Sequence, residues 1–131
     1  MLIDCHNHSL YSHDAEFSIE QMCKSAQING IDVFSITDHC DVNSLHYVGG
    51  DITRQSIKGI NLAKQNFDIK IIAGIELGQY TQNKQFGDEI LKIKGIDFVI
   101  GSLHNIKGQK DFYYLDYSDK ESTNKILQQY Y

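Results

Sequence analysis

The hydrophobic and polar positions along the chain follow two alternating periods. Short apolar runs, typical of buried β-strands, occur at residues 2–5, 31–37, 68–74 and 96–100. Between them, apolar side chains recur every three or four residues, as on one face of a helix. The first helix is predicted from a capping box at Ser18 to a stop at Gly30, and the second covers residues 51–67. Strands that alternate with helices predict an α/β fold with a parallel sheet.

The rest of the pattern is less regular. Residues 79–94 fit neither period clearly, so their structure stays open at this stage. A second capping box, Ser118 to Glu121, opens a last helix with Ile126, Leu127 and Tyr130 on one face. The pattern therefore predicts about four βα units in a single domain over residues 1–131.

Composition narrows the class of protein. The chain has 131 residues, of which 41% are hydrophobic and 22% charged, as in ordinary globular proteins. It shows no apolar run of membrane-spanning length and no secretion signal at its start, so we expect a cytoplasmic protein without a membrane partner. The net charge is −5 and Arg54 is the only arginine, which disfavours nucleic-acid binding.

Three cysteines, Cys5, Cys23 and Cys40, are too few and too scattered for a disulfide framework or a zinc ribbon. Cys5 and Cys40 each adjoin a histidine, which leaves a ligand role open. Small buried thiols are the favoured interpretation.

Residues that bind metals follow all four predicted strands. His6 and His8 come after the first strand, His39 after the second, Glu76 after the third and His104 after the fourth. In parallel α/β folds, functional residues gather at the carboxyl ends of the strands. Four such strand ends in succession indicate one shared site.

The ligand types suggest which ions would bind. His6 and His8 are two residues apart on extended backbone, so both point to the same face and can hold one ion. Glu76 can bridge two ions through its two oxygens. Asp14, in the loop after the first strand, can either place its carboxylate at the same site or cap a turn. Mixed imidazole and carboxylate ligands favour two or three zinc, iron or manganese ions. Such sites generate a hydroxide nucleophile near neutral pH and neutralise phosphoryl oxygens.

Three further polar residues have open roles. His13 and His46 are expected at the surface or behind the ligands. Asp38 either orients the imidazole of His39, as carboxylates behind metal ligands do, or is a loop aspartate.

These residues occur in four segments that resemble the motifs of the PHP (polymerase and histidinol phosphatase) superfamily. The resemblance covers essentially the whole chain in order and spacing, and it is greatest to histidinol-phosphate phosphatases of the PHP type. The segments are Asp4-x-His6-x-His8-Ser9-x-x-Ser12-x-Asp14, Ile36-Thr37-Asp38-His39, Gly74-Ile75-Glu76-Leu77-Gly78 and Ile100-Gly101-Ser102-Leu103-His104.

The resemblance implies a distorted (βα)7 barrel of the TIM-like kind, with a metal centre that hydrolyses phosphate monoesters in histidine biosynthesis. It implies a small phosphorylated substrate, with Glu76 and His39 as catalytic residues. The implied ligand sets are His6, His8 and Glu76 for one ion, Glu76 and His104 for a second, and Asp14 and His39 for a third.

The chain departs from the family pattern in one respect. The family supplies further ligands later in the chain, a histidine and an Asp-x-His pair, but here no histidine follows His104. An eight-unit barrel needs about 250 residues. We therefore expect the N-terminal part of a longer enzyme, or a truncated product, whose open barrel edge favours self-association. Arg54 and Lys107 are poor candidates for a phosphate clamp.

Other functions remain open. A PHP enzyme of different specificity, such as a protein-tyrosine phosphatase or a nucleotide phosphoesterase, would use the same ligands. An inactive metal-binding fragment would bind ions without turnover. A metal-dependent amidohydrolase is disfavoured, because that family uses a lysine on a middle strand where this chain has Glu76.

Overall fold

The computed structural model describes residues 1–43 and 49–130, and it shows one parallel sheet flanked by helices. The strands lie in chain order, β1-β2-β3-β4, and neighbouring strands are parallel throughout, which confirms the predicted α/β fold of four βα units. The elements are β1 (Ile3–Asp4), α1 (Ile19–Ile28), β2 (Val33–Asp41), α2 (Gly49–Ala63), β3 (Lys70–Gly78), α3 (Lys84–Ile90), β4 (Phe98–Ser102) and α4 (Lys120–Tyr130), with 3-10 turns at Tyr80–Gln82 and Phe112–Tyr114.

Helix α1 begins and ends at the predicted signals. The Ser18 hydroxyl accepts a hydrogen bond from the Gln21 backbone N–H at 3.2 Å, and the Gln21 side chain accepts one from the Ser18 N–H at 2.9 Å. Asn29 closes the helix, and Gly30 follows with φ +72°, a left-handed conformation that favours glycine. The local sequence therefore fixes this helix independently of the rest of the fold.

The hydrophobic core lies between the sheet and helices α1, α2 and α3. Alternate residues of β2 and β3 point into it, and each buried aliphatic side chain contributes about 1.5–3 kcal/mol. Because successive strand residues face opposite sides, the other face of the same strands is left for polar side chains. The core side chains include Ile36, Cys40, Ile75, Leu77, Cys23, Ile57, Ile60 and Ile90.

The cysteines divide between core and surface. Cys23 and Cys40 are buried, and burial raises the pKa of both thiols. Cys40 faces the core and its sulfur accepts a hydrogen bond from the Thr53 hydroxyl at 3.3 Å. Cys5 is exposed, so the expectation of a buried thiol is wrong at that position.

Several element ends differ from the prediction. β2 and β3 continue to Asp41 and Gly78, because they pair with each other along their whole length, and this pairing outweighs the low strand propensity of Asp and His. Helix α2 ends at Ala63 rather than at residue 67. The open stretch 79–94 forms a 3-10 turn and helix α3, whose first turn is capped by Asn83.

The last helix has a different cap from the predicted one. The Asp119 carboxylate, rather than the Ser118 hydroxyl, accepts a hydrogen bond from the Ser122 backbone N–H, at 2.8 Å. Aspartate at this position also places a negative charge at the positive end of the helix. None of the described helices combines the length and the apolar character needed to cross a membrane.

We predict that the chain self-associates, because its two outer strands expose apolar side chains. Ile3 on β1 is 48% exposed and Val99 on β4 is 36% exposed, at opposite edges of the sheet. Exposed strand edges pair readily with other chains. Light scattering over a concentration series should show a mass that rises above that of one chain. Double substitution Ile3→Lys with Val99→Lys should reduce it, and a stable monomer of the unsubstituted chain at high concentration would contradict the prediction.

Candidate metal centre

The six ligands expected from the sequence meet at the carboxyl end of the sheet. His6 and His8 follow β1, and His104 follows β4. His39 on β2 lies directly beside Glu76 on β3 in the parallel register, so their side chains share one face. Asp14 comes to the same place from the loop between β1 and α1.

Glu76 lies at the centre of the cluster and is only 4% exposed. Its Oε2 is 3.2 Å from His6 Nε2 and 3.0 Å from His8 Nε2. The same oxygen is 3.1 Å from His39 Nδ1. Its Oε1 is 3.0 Å from His104 Nε2. The two oxygens of one carboxylate thus face different imidazoles, which is the arrangement that a bridging ligand requires.

Asp14 lies between two of the same imidazole rings. Its carboxylate is 3.2 Å from His8 Nδ1 and 3.3 Å from His39 Nε2. Of the two roles that the sequence left open for Asp14, these contacts favour the one at the site. The ligand atoms fall into three groups, each within 4.8 Å: His6 with His8 and Glu76, His39 with Glu76 and His104, and His8 with Asp14 and His39.

The geometry of these groups fits divalent metal ions. Two ligands on one zinc ion, with bonds of about 2.0–2.1 Å, lie about 3.0–3.4 Å apart. The distances around Glu76 and Asp14 fall in that range. Three imidazole nitrogens surround Glu76 Oε2, whereas a carboxylate oxygen has two lone pairs to share.

An unpartnered nitrogen supports the same conclusion. Within residues 1–43 and 49–130, His39 Nδ1 is the buried side-chain nitrogen or oxygen that makes no hydrogen bond. It lies 3.1 Å from Glu76 Oε2 without the alignment that a hydrogen bond needs. Buried polar atoms are rarely left this way, and a metal ligand is one explanation. The residues present therefore fit a metal centre.

The protonation states of Glu76 and His39 suit metal ligands. Burial raises the pKa of Glu76, but hydrogen bonds with His104, His8 and Ser102 outweigh it and hold this pKa well below its usual range. Burial lowers the pKa of His39, because the charged ring loses its hydration. An ionised Glu76 and a neutral His39 are the forms that coordinate cations.

His104 is positioned by residues that the sequence analysis did not single out. Asp41 Oδ1 lies 3.0 Å from its Nδ1, and Ser102 Oγ lies 2.5 Å from its Nε2. Hydrogen bonds with Asp41 and Glu76 raise the pKa of His104 to about 10, so this ring would have to lose a proton to bind a metal ion. The Gln79 side chain accepts a hydrogen bond from the His104 backbone N–H at 2.9 Å, and Gln79 itself has φ +60°. Backbone strain of this kind often occurs at functional sites.

Gly78 makes room for this arrangement. It lies beside Asp41 in the parallel register. A Cβ at Gly78 would overlap Asp41 Oδ1 and would lie 3.2 Å from His104 Nδ1. Gly78, the second glycine of the Gly-Ile-Glu-Leu-Gly segment, thus indicates that side chains are crowded next to Glu76. The hydrophobic periodicity gave no sign of this crowding.

Asp38 has neither of the roles proposed for it from the sequence. It lies within β2 and faces away from the site, next to His39 but on the opposite side of the strand. Its buried carboxylate accepts hydrogen bonds from the Ser9 N–H at 2.6 Å, the Ser9 hydroxyl at 2.8 Å and the Ser12 hydroxyl at 2.9 Å. A fourth comes from the Ser56 hydroxyl at 2.5 Å. Asp38 therefore fixes the loop that carries His8 and Asp14.

The two histidines outside the proposed ligand set are His13 and His46. His13 is exposed, with its ring centroid 5.1 Å from that of His39, as expected for a residue at the edge of the site. His46 lies outside the described residues.

A cavity of about 610 Å³ opens beside the cluster. The residues that line it include Asp14, His39, His104, Asp111 and Tyr114. The candidate metal centre is therefore open to a small molecule.

The chain belongs to the PHP domain family, whose model matches residues 4–131. It is 27% identical over 108 residues to a protein named "Probable histidinol-phosphatase" from Clostridium acetobutylicum, covering 82% of this chain and 41% of that protein. It is also 27% identical over 112 residues to a "Probable phosphatase" from Acetivibrio thermocellus, covering 80% of this chain and 42% of that protein. The chain thus spans about two fifths of the length of these curated relatives.

A solved structure shows the same fold. The chain superposes with a TM-score of 0.74 on the crystal structure of histidinol phosphate phosphatase from Lactococcus lactis, which is complexed with zinc, L-histidinol and phosphate. The match covers 98% of this chain and 51% of the other, at 24% sequence identity. The four parallel strands therefore form half of a TIM-like barrel.

Proposed function

We propose that the chain carries part of the active site of a metal-dependent phosphate monoester hydrolase of the histidinol-phosphatase type. The observation that carries this proposal is the contact set of Glu76, whose two oxygens face separate groups of imidazole nitrogens. The names of the relatives and the zinc, L-histidinol and phosphate bound to the solved neighbour support the same chemistry. The substrate is then a small phosphorylated alcohol.

Three ligand groups would hold two or three zinc, iron or manganese ions. Glu76 belongs to two of the groups, together with His6 and His8 in one and with His104 in the other. His39 belongs to the second of these and also to the group that contains Asp14. Ions bound here would supply a nucleophile near neutral pH and would neutralise charge on the phosphoryl group.

The residues of the chain prepare this site in defined ways. The lowered pKa of Glu76 keeps its carboxylate ionised between the ligand groups. The contact with Asp41 fixes the ring of His104, so that Nε2 faces Glu76. Glu76 and His39 are the proposed catalytic residues, because His39 lines the cavity beside Glu76, where substrate and ions would meet.

Metal analysis followed by kinetics tests this function. Protein purified without chelator should contain at least one equivalent of zinc, iron or manganese, and less than about a tenth of an equivalent would contradict the proposal. A panel of phosphate monoesters, containing histidinol phosphate, a phosphotyrosine peptide and a nucleotide, then identifies the substrate. Highest kcat/KM for histidinol phosphate is the expected result. Bound metal without hydrolysis of any ester would favour the inactive metal-binding alternative.

A further inference from the structure

A groove on the helix side of the sheet is lined by positive charge. It lies between α2 and the loop that follows α3, has a volume of about 530 Å³, and is named here the α2–α3 groove. Four of the twelve Lys and Arg residues of the chain line it, namely Arg54, Lys58, Lys92 and Lys94. Among the described residues that line the groove, Glu89 is the carboxylate. The groove is therefore positive in a chain whose net charge is −5.

These positive charges are poorly neutralised by the chain itself. In the part of the chain that the structure describes, the side chains of Lys58, Lys92 and Lys94 make no ion pair and no hydrogen bond. Arg54 pairs with Asp51 at 3.1 Å, but both side chains are more than half exposed, and such pairs contribute little. Arg54 and Lys58 are also four residues apart on one helix, where like charges repel each other. An anion in the groove would relieve this repulsion.

Hydrogen bonds fix the two walls of the groove relative to each other. Asn61 Nδ2 on α2 donates to the carbonyl oxygen of Gly95 at 3.2 Å. Gly95 has φ +92°, and a Cβ there would lie 2.8 Å from Asn61 Nδ2, so glycine lets the loop lie against α2. Lys64 Nζ donates both to Asn61 Oδ1 at 2.7 Å and to the Asp97 carboxylate at 2.6 Å. The groove is thus already formed before any ligand binds.

The α2–α3 groove is separated from the candidate metal centre by the sheet. Ile57 and Ile93, which line the groove, belong to the core on the helix side or pack against it. Glu76 points to the other face of the sheet, near the carboxyl ends of the strands. Lys92 and Lys94 precede β4 and lie near its amino end. An anion in the groove therefore does not contact the proposed metal ligands.

We propose that the α2–α3 groove binds a small molecule that carries two or more phosphate groups. Ammonium groups bind phosphate oxygens as compact charges, and cations on both walls can each contact a different phosphate. A single phosphate would leave most of these cations unneutralised. A long nucleic acid would extend from the groove over the surrounding surface of an acidic chain, which repels it. This inference does not depend on the proposed function.

Calorimetric titration with tripolyphosphate tests the site. The protein as purified should bind tripolyphosphate, and Lys58→Gln and Lys92→Gln should each weaken binding by about three- to fivefold. Glu89→Gln, which removes the opposing charge from the groove, should strengthen it. Lys24→Gln is the matched control, because Lys24 is an exposed lysine on α1 that does not line the groove, and its affinity should stay unchanged.

Binding at the metal centre does not confuse this comparison. Any tripolyphosphate held by bound ions is common to all the variants, since none of them touches the proposed ligands, so the differences between variants report on the groove. The titrations are repeated on protein treated with EDTA, and circular dichroism confirms that each sample is folded. Thermal unfolding gives a second measurement, because a ligand that binds only the folded state raises the midpoint.

Other anions test the class of ligand. Inorganic phosphate should bind at least about tenfold more weakly than tripolyphosphate, because it reaches fewer of the cations. Pyrophosphate and ADP carry the same two phosphates, so equal affinities would assign binding to the phosphates alone, and tighter ADP binding would assign a nucleoside polyphosphate. A single-stranded DNA of 20 nucleotides that binds more tightly than tripolyphosphate, and loses affinity in Lys92→Gln, would overturn the choice of a small ligand.

Two results would show that the groove is not a polyphosphate site. One is the absence of both a binding heat and a shift in unfolding midpoint at about 10 mM tripolyphosphate, a concentration that would detect millimolar affinity. The other is equal affinity of the Lys24→Gln variant and a Lys58→Gln, Lys92→Gln double variant. Neither result bears on metal content or phosphate ester hydrolysis, which test the proposed function separately.

Discussion

Under the proposed function, replacing Glu76 by Gln is expected to remove more than one metal ion per chain and to lower phosphatase activity by at least about a hundredfold. Gln keeps the size of the side chain and one oxygen but loses the negative charge. The two oxygens of Glu76 face separate ligand groups, so the substitution weakens both. Elemental analysis and steady-state kinetics on the purified variant measure the two effects.

Two comparisons make the Glu76 result specific. His8→Ala should remove about one ion, because a water can replace a single imidazole. Glu89→Gln, at an exposed position on α3, makes the same chemical change away from the site and should leave metal content and turnover unchanged. A folded Glu76→Gln variant with full metal content and normal turnover would show that Glu76 does not bridge ions.

The second large effect is expected at Asp38, which is 3% exposed and accepts four hydrogen bonds. Asp38→Ala should lower the free energy of unfolding by about 3–5 kcal/mol, because it leaves the Ser9 N–H and three hydroxyls buried without their acceptor. Asp38→Asn should cost less, about 1–2 kcal/mol, since one oxygen remains and hydroxyls can rotate to accept from the amide. Urea denaturation measures both values.

The loop that Asp38 fixes also carries two proposed ligands, so stability and metal binding should change together. We expect Asp38→Ala to bind zinc more weakly than the unsubstituted protein, even under conditions where it is folded. Asp68→Ala, at an exposed aspartate before β3, serves as the control and should change the free energy of unfolding by less than about 0.5 kcal/mol. Equal urea midpoints for Asp38→Ala and the unsubstituted protein would show that Asp38 does not fix the loop that carries His8 and Asp14.

The order of elements was predictable because it depends on local signals. Apolar runs, the capping box at Ser18 and the left-handed Gly30 each act over a few residues, and together they were sufficient for four βα units. The presence of His39 and Glu76 at the site was predictable for a related reason, since both follow apolar strand segments. Parallel strands bring their carboxyl ends to one edge of the sheet, so residues at those ends lie near one another.

The finer geometry was not predictable, because it depends on pairing between distant segments. β2 continues to Asp41 only because β3 pairs with it, and no local pattern reports that pairing. Asp41 was therefore not recognised as a partner of His104. Asp38 was expected to contact the imidazole of His39, but its side chain lies on the opposite face of β2 and bonds Ser9. The 3-10 turn Phe112–Tyr114 follows no periodic or motif signal at all.

The register between β2 and β3 has a consequence for how the metal centre is assembled. His39 and Glu76 face the site only in the alignment in which Ile36, Cys40, Ile75 and Leu77 face the helices. If one strand slipped by one residue, its metal ligands would point into the hydrophobic core and its aliphatic side chains would point into water. This would cost several kcal/mol. Packing of the hydrophobic core thus selects the register that aligns His39 with Glu76. These two ligands are therefore preorganised in the metal-free chain.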